Sequence, residues 1–290
     1  CMARASVLLA TIMGTGLSAS EASRSALPDA FPAAELLWER EFGDHQYTVP
    51  VVDRDRLYVG TNDSSLEHPV VTSTGGGILL CLNRSTGEVN WQLPIPRYQE
   101  GTQAPSHFNH WRCGVCSSPA VDGDRLYVGT EFRNRGGPDD GGGFLFAVKA
   151  GATGDITPVP GASSSDGVAW RCADAGIQMA SPVVCGGYVY LFERRLSVVH
   201  CVDAKTGEHL FRERVPGARA FWASPWSYNG KVFALDETGT SYVIEPGREL
   251  KVLRENRIDE LFWSTPAAAG GALFLRGADH VYCVAKPVAG

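Results

Sequence analysis

Two histidines and two cysteines recur at intervals of three in His107-Phe-Asn-His110-Trp-Arg-Cys113-Gly-Val-Cys116. Imidazole and thiolate groups suit zinc or copper, and a compact His₂Cys₂ set could close a tetrahedral metal site. Zinc motifs usually separate their ligand pairs by about a dozen residues, which lets the chain wrap the ion. The close packing here strains that wrap. Two other readings of the same residues therefore stand beside it: a Cys113–Cys116 disulfide, and side chains with a purely structural role. Covalent haem is excluded, because Cys-x-x-Cys must be followed by His and residue 117 is Ser.

A second set of chemistry-bearing residues recurs three positions before a proline: Tyr47, Cys116, Met179, Trp222 and Trp263. If these prolines mark equivalent inner strands, the set forms an aromatic-rich floor. Such a floor could stack on a planar ligand such as a quinone, or anchor a protein partner. The alternative is that these residues pack between neighbouring units as core. Trp222 and Trp263 are the best ligand candidates, with Tyr47 and Met179 beside them. The loop Arg133-Asn134-Arg135-Gly-Gly-Pro-Asp139-Asp140 lacks the alternating ligand spacing of calcium loops and reads as solvated. No Gly-x-Ser-x-Gly, His-Glu-x-x-His or Walker-type motif occurs, so hydrolase and nucleotide-binding readings have no support.

Internal repetition supplies the elements that must position these groups. Five segments align: 49–60, 118–129, 181–192, 224–235 and 265–276. Each reads as strand, tight turn, strand. Gly186-Gly187, Asn229-Gly230 and Gly270-Gly271, and Gly123 after Asp122, supply the positive φ that short hairpins need, whereas Arg54 in the first copy predicts a slightly different turn. A third strand recurs at 78–83, 144–149, 198–203, 241–245 and 280–285, with Cys81, Cys201 and Cys283 at one equivalent place, read as small buried hydrophobes. A fourth follows, carrying Trp91, Trp170, Phe211 and Leu253. Asn83 and Asp203 open Asx-x-x-Thr-Gly turns. The last repeat lacks a fourth strand, while Glu35-Leu-Leu-Trp38-Glu39 matches one ahead of the first hairpin.

Four-stranded units at a period near 40 residues predict an all-β fold, a β-propeller of four-stranded antiparallel blades. Five blades are expected, closed by the N-terminal strand. Prolines 50, 119, 182, 225 and 266 lie 69, 63, 43 and 41 residues apart. The first two blades thus carry insertions, around 61–76, 95–112, 131–143 and 150–166.

The 290 residues, with 33 Gly and 17 Pro, suit one large turn-rich domain over 35–290. A net charge of −6 argues against a nucleic-acid partner. Arg4, the apolar run 5–17 and small residues at 18–22 predict a signal peptide over 1–22, followed by a linker at 23–34. The apolar run is too short to span a membrane, so a soluble periplasmic or secreted protein is expected.

The pattern Ser-Pro-x-Val-x-x-Gly-x-Val-Tyr…Cys-Val-Asp-Ala-Lys-Thr-Gly-Glu, best seen in 181–208, resembles the PQQ-like β-propeller repeat. The resemblance extends in degenerate form over 36–286. That superfamily includes quinoprotein alcohol dehydrogenases, BamB-like lipoproteins that help assemble outer-membrane barrels, and many exported proteins; the last group is the nearest in character. Its rings commonly have seven or eight blades. The chain lacks the adjacent Cys pair that quinoprotein dehydrogenases share, so no catalytic residue carries over. The resemblance implies a non-catalytic exported scaffold that binds an envelope protein or a small ligand. The rival reading is an oxidoreductase using PQQ, zinc or copper in the central funnel. Metal analysis with thiol titration separates the readings of 107–116: stoichiometric zinc or copper identifies a metal site, and loss of two titratable thiols without metal identifies the disulfide.

Overall fold

The computed structural model describes residues 36–41, 48–61, 68–72, 77–95, 115, 117–130, 143–173, 175–176, 180–194 and 196–286. Every regular element among them is a strand. Blade one holds β1 (Val51–Asp53), β2 (Arg56–Thr61), β3 (Gly77–Asn83) and β4 (Val89–Ile95), ordered as a meander. Blade two holds β5 (Ala120–Asp122), β6 (Arg125–Gly129), β7 (Phe144–Lys149) and β9 (Val168–Ala173). Its short β8 (Gly154–Asp155) leaves the blade and pairs in parallel with β4 of blade one. Blade three is β10 (Val183–Cys185), β11 (Tyr188–Phe192), β12 (Val198–Asp203) and β13 (His209–Arg214). Blade four is β14 (Trp226–Tyr228), β15 (Lys231–Leu235), β16 (Thr240–Glu245) and β17 (Lys251–Arg257). Blade five has three strands, β18 (Ala267–Ala269), β19 (Ala272–Arg276) and β20 (Val281–Ala285).

The hairpins follow the repeat. Gly186, Gly187, Asn229, Gly230, Gly270 and Gly271 all take positive φ. Arg54 does the same at 56°, so the first turn keeps the geometry of Gly123 in blade two and a non-glycine side chain bears the left-handed backbone. Asn83 Oδ1 accepts from the amides of Ser85 and Thr86, and Asp203 Oδ1 from those of Lys205 and Thr206, which makes both residues turn-formers as expected.

The core lies between neighbouring blades. Tyr58, Trp91, Val128 and Phe146 share one cluster across blades one and two, and Tyr190, Phe192, Phe221 and Tyr242 share another across blades three and four. Trp170 of β9 packs on the β12–β13 turn of blade three. Its Nε1 donates to Ala204 O at 3.2 Å, and a Cβ on Gly207 would sit 2.6 Å from the indole. Gly207, at φ 78°, serves twice: it takes a backbone that other residues resist and leaves room for the ring.

A belt of hydrogen bonds joins the blades in sequence. The amide of Val49 donates to Ser118 Oγ at 2.7 Å, that of Ser118 to Ser181 Oγ at 3.1 Å, that of Ser181 to Ser224 Oγ at 2.9 Å, and that of Ser224 to Thr265 Oγ1 at 2.9 Å. Each of these residues precedes a repeat proline, whose ring holds its predecessor extended and ahead of the strand ladder. Its amide is therefore free to reach the next blade.

Three expectations are corrected. The closing pair between the N-terminal segment and the last blade is not made: blade five keeps three strands, and residues 36–41 form no strand. The residue opposite the central position of the third strand in blade four is Arg254, not Leu253, because a register shift between Val243 and Ile244 displaces the alignment by one. Cys81 and Cys201 are buried as read, but Cys283 is exposed, since no fourth strand covers it. Ser181→Ala removes one belt acceptor and leaves the Ser118 amide unpaired; denaturant unfolding should show a loss of about 1–2 kcal/mol with an unchanged slope.

Candidate functional site

In each meander the second-to-third-strand connection and the connection to the next blade leave from the same end of the sheet. This end forms a loop face, and the charged and aromatic groups gather there. Trp222, just ahead of β14, is half-buried. Its Nε1 donates to Glu237 Oε2 at 3.0 Å, and the Arg194 guanidinium lies 4.4 Å from its ring centroid. Backbone bonds fix all three: Phe221 N donates to Arg194 O, and Glu237 N to Ala220 O. One face of this indole is thus covered by a cation, and its polar edge is already engaged. Trp263, the equivalent residue ahead of β18, is 55% exposed. No ring contact joins the two indoles among the described residues, so they do not form a single stacking floor. Their neighbours Phe221 and Phe262 are the buried partners, at 0% and 1% exposure. The expectation of core packing belongs to those positions instead. Tyr47 and Met179 lie outside the described residues, as do His107, His110, Cys113 and Cys116.

Two carboxylate centres brace this face. Asp236, fully buried, accepts through Oδ1 from the amides of Thr238 and Thr240 and through Oδ2 from that of Arg219. It holds the connections on either side of Trp222 together, a structural role consistent with its place in a turn. Glu260 crosses from blade four to blade five. It accepts from the Tyr282 hydroxyl at 2.5 Å and from the amides of Asp279 and His280. These bonds stabilise the ionised carboxylate, Tyr282 most of all, and bring its pKa down to about 2.

The residue pattern did not disclose a further network at the edge of blade three. Buried His200 places Nε2 2.6 Å from Glu193 Oε1 and Nδ1 3.1 Å from His209 Nε2, with the two imidazoles stacked. Arg212 Nη2 reaches the same Glu193 oxygen at 2.9 Å. Burial pushes the Glu193 carboxyl up, but His200 and Arg212 outweigh it and leave the pKa below the ordinary value. No spacing motif announces this set, because its members meet through strand pairing: His200 lies opposite Arg212 and near His209 only in the folded β12–β13 ladder. Among the described residues no three His, Cys, Asp or Glu side chains are placed to hold a metal ion.

Five repeated blades, joined through hydroxyls ahead of their prolines and aromatics docked on Asx-x-x-Thr-Gly turns, define a β-propeller fold of the PQQ-repeat kind. Among solved structures, 285 chains match it. BamB from Moraxella catarrhalis is similar with a TM-score of 0.55 at 11% identity, over 84% of this chain and 60% of that one. A europium-containing methanol dehydrogenase gives a TM-score of 0.47 at 12% identity, over 78% of this chain and 56% of that one. The chain thus spans about 60% of the length of BamB, and at such identity the likeness is one of fold. No protein-family model and no curated protein matches the sequence.

Glu260 yields a pH prediction. A carboxylate whose folded pKa is depressed contributes stability that is complete above its unfolded value, about 4.3, and is lost as pH falls towards the folded value. Wild-type protein should therefore lose more stability than Glu260→Gln between pH 5 and about pH 2, read by thermal unfolding at each pH. Parallel curves for the two proteins would contradict the bonded geometry.

Proposed function

We propose that this chain is an exported scaffold of the cell envelope, which binds a protein partner through its loop face. The observation that carries the proposal is the pairing of an exposed indole, Trp263, with the ordered Arg194–Trp222–Glu237 group on one rim of a β-propeller. Trp and Arg dominate the energetics of protein interfaces, and groups already held in place lose little entropy on binding. The BamB-like fold supports a scaffold role, and the apolar N-terminal run supports a periplasmic or secreted location. No described helix is long and apolar enough to cross a membrane.

The insertions of blades one and two supply further reach. The connections from β2 to β3, from β4 to β5 and from β6 to β7 all leave from the loop end, and the His107–Cys116 segment falls in the second of these. Long loops on a rigid sheet framework are where binding residues concentrate. A small planar ligand held against Trp263 is the lesser form of the same reading.

Pull-down from envelope extract with immobilised wild-type protein should recover one specific partner. Trp263→Ala should reduce its capture at least tenfold, about 1.4 kcal/mol or more, without changing the unfolding midpoint, because the side chain is largely exposed. Arg194→Ala should weaken capture as well, through loss of the cation above Trp222. Equal recovery by wild type and Trp263→Ala would overturn the assignment of this face. Absorption of a bound chromophore, or reduction of a dye with alcohols or sugars, would favour the oxidoreductase reading instead.

A further inference from the structure

Blade five carries side chains that every other blade buries. In the third strand, Leu79, Leu145 and Val199 are all fully buried, but the equivalent Val281 is 69% exposed. Leu82, Val148, Val202 and Ile244 are likewise buried, while Val284 is 49% exposed. In the second strand Tyr58, Tyr127 and Tyr190 are buried and the equivalent Phe274 is 40% exposed. β20 has no partner on its outer side, and it carries neither proline nor charge between Val281 and Ala285. An uncharged, unpaired edge of this kind accepts another strand readily.

The segment 36–41 has the opposite deficiency. Trp38 docks on blade one as Trp170 docks on blade three: its Nε1 donates to Arg84 O at 2.9 Å, and a Cβ on Gly87 would meet its ring at 2.7 Å. Arg40 Nη2 adds a bond to Thr86 O at 2.9 Å. This is the contact that a fourth strand makes with the following blade. Yet the segment pairs with no third strand, and Leu36 and Leu37 are 65% and 84% exposed. Blade five therefore ends in a third strand lacking a fourth, and blade one begins with a fourth strand lacking a third. The structure leaves them unpaired within one chain.

We propose that these two ends join between copies: residues 36–41 of a second copy, docked on its own blade one, add to β20 and make a head-to-tail junction. The junction repeats interfaces that the molecule already contains. Its register follows from the other blades, where Cys81 faces Trp91, Ala147 faces Trp170 and Cys201 faces Phe211, with Leu82 facing Val89 and Val148 facing Val168. By the same pairing Cys283 faces Trp38, and Val284 faces Leu36, of the second copy. One bond is missing from the repeat. Val49 stands where the other blades carry a Ser or Thr hydroxyl, so the Thr265 amide finds no belt acceptor at this junction. The new interface is accordingly weaker than the four internal ones and dissociates on dilution. Because the interface is heterologous, it closes only if the rotation returns to the start and otherwise extends into longer assemblies.

Light scattering of wild-type protein across a concentration series should give a mass of two or more 31.2 kDa chains at the high end. Val284→Lys should return it to one chain without altering the far-ultraviolet spectrum. Oxidation of a Leu36→Cys/Val284→Cys variant, in a Cys283→Ser background, should yield covalent dimers or longer ladders on a reducing-agent-sensitive gel. A wild type that stays monomeric throughout, no cross-link, or a cross-link confined to single chains would each overturn the proposal; the last would mean that the ring closes on itself. The cysteine variant keeps the test decisive even if Val284→Lys fails to fold.

Discussion

The blades of this molecule share almost no strand pairing with one another, so the arrangement depends on the hydroxyl belt that links them. A Ser or Thr immediately before each repeat proline accepts one amide and donates its own, passing a single hydrogen bond from blade to blade through residues 49, 118, 181, 224 and 265. The proline makes this available by keeping the preceding residue extended and out of the ladder. Each bond is modest, about 1 kcal/mol net. The belt acts through position: it brings the inner strands to one spacing, and the larger apolar contacts can then form between blade faces.

Those contacts repeat in kind while their partners vary. Trp170 settles on the glycine turn of blade three, while Tyr190 exchanges bonds with Gly247 of blade four through its hydroxyl. Blade one receives an additional brace from β8, whose Ile156 amide bonds Gln92 O and whose side chain joins the core around Trp91. With the sheets held in this way, the loop end is free to vary. The ordered group around Trp222 and the exposed Trp263 sit on that end, and so do the connections lengthened in the first two blades.

Much of the fold was legible in the residues, because strand, turn and proline signals recur at equivalent places. The Gly-Gly and Asn-Gly turns, the Asx turns at Asn83 and Asp203 and the meander order all follow from local chemistry that repeats. The candidate site was less legible. Trp222 and Trp263 occupy equivalent places in the repeat, yet one is pinned between Arg194 and Glu237 and the other faces solvent. Arg194 and Glu237 lie 28 and 15 residues from Trp222 along the chain, at distances where no local pattern connects them. The Glu193–His200–His209–Arg212 network was invisible for the same reason.

The sequence by itself determined the repeat, the strand order within each blade and the blade count, since each rests on short-range periodicity and turn residues that need no distant partner. Even the break in the belt is written there, as Val49 in place of a hydroxyl. Only the tertiary structure decided which equivalent residues are buried, which are paired and which are left open. Cys81 and Cys283 share one place in the repeat, but the first has a fourth strand and a neighbouring blade over it and the second has neither. Burial belongs to what stands next to a residue in space, and for the last blade that neighbour lies beyond the reach of its own repeat.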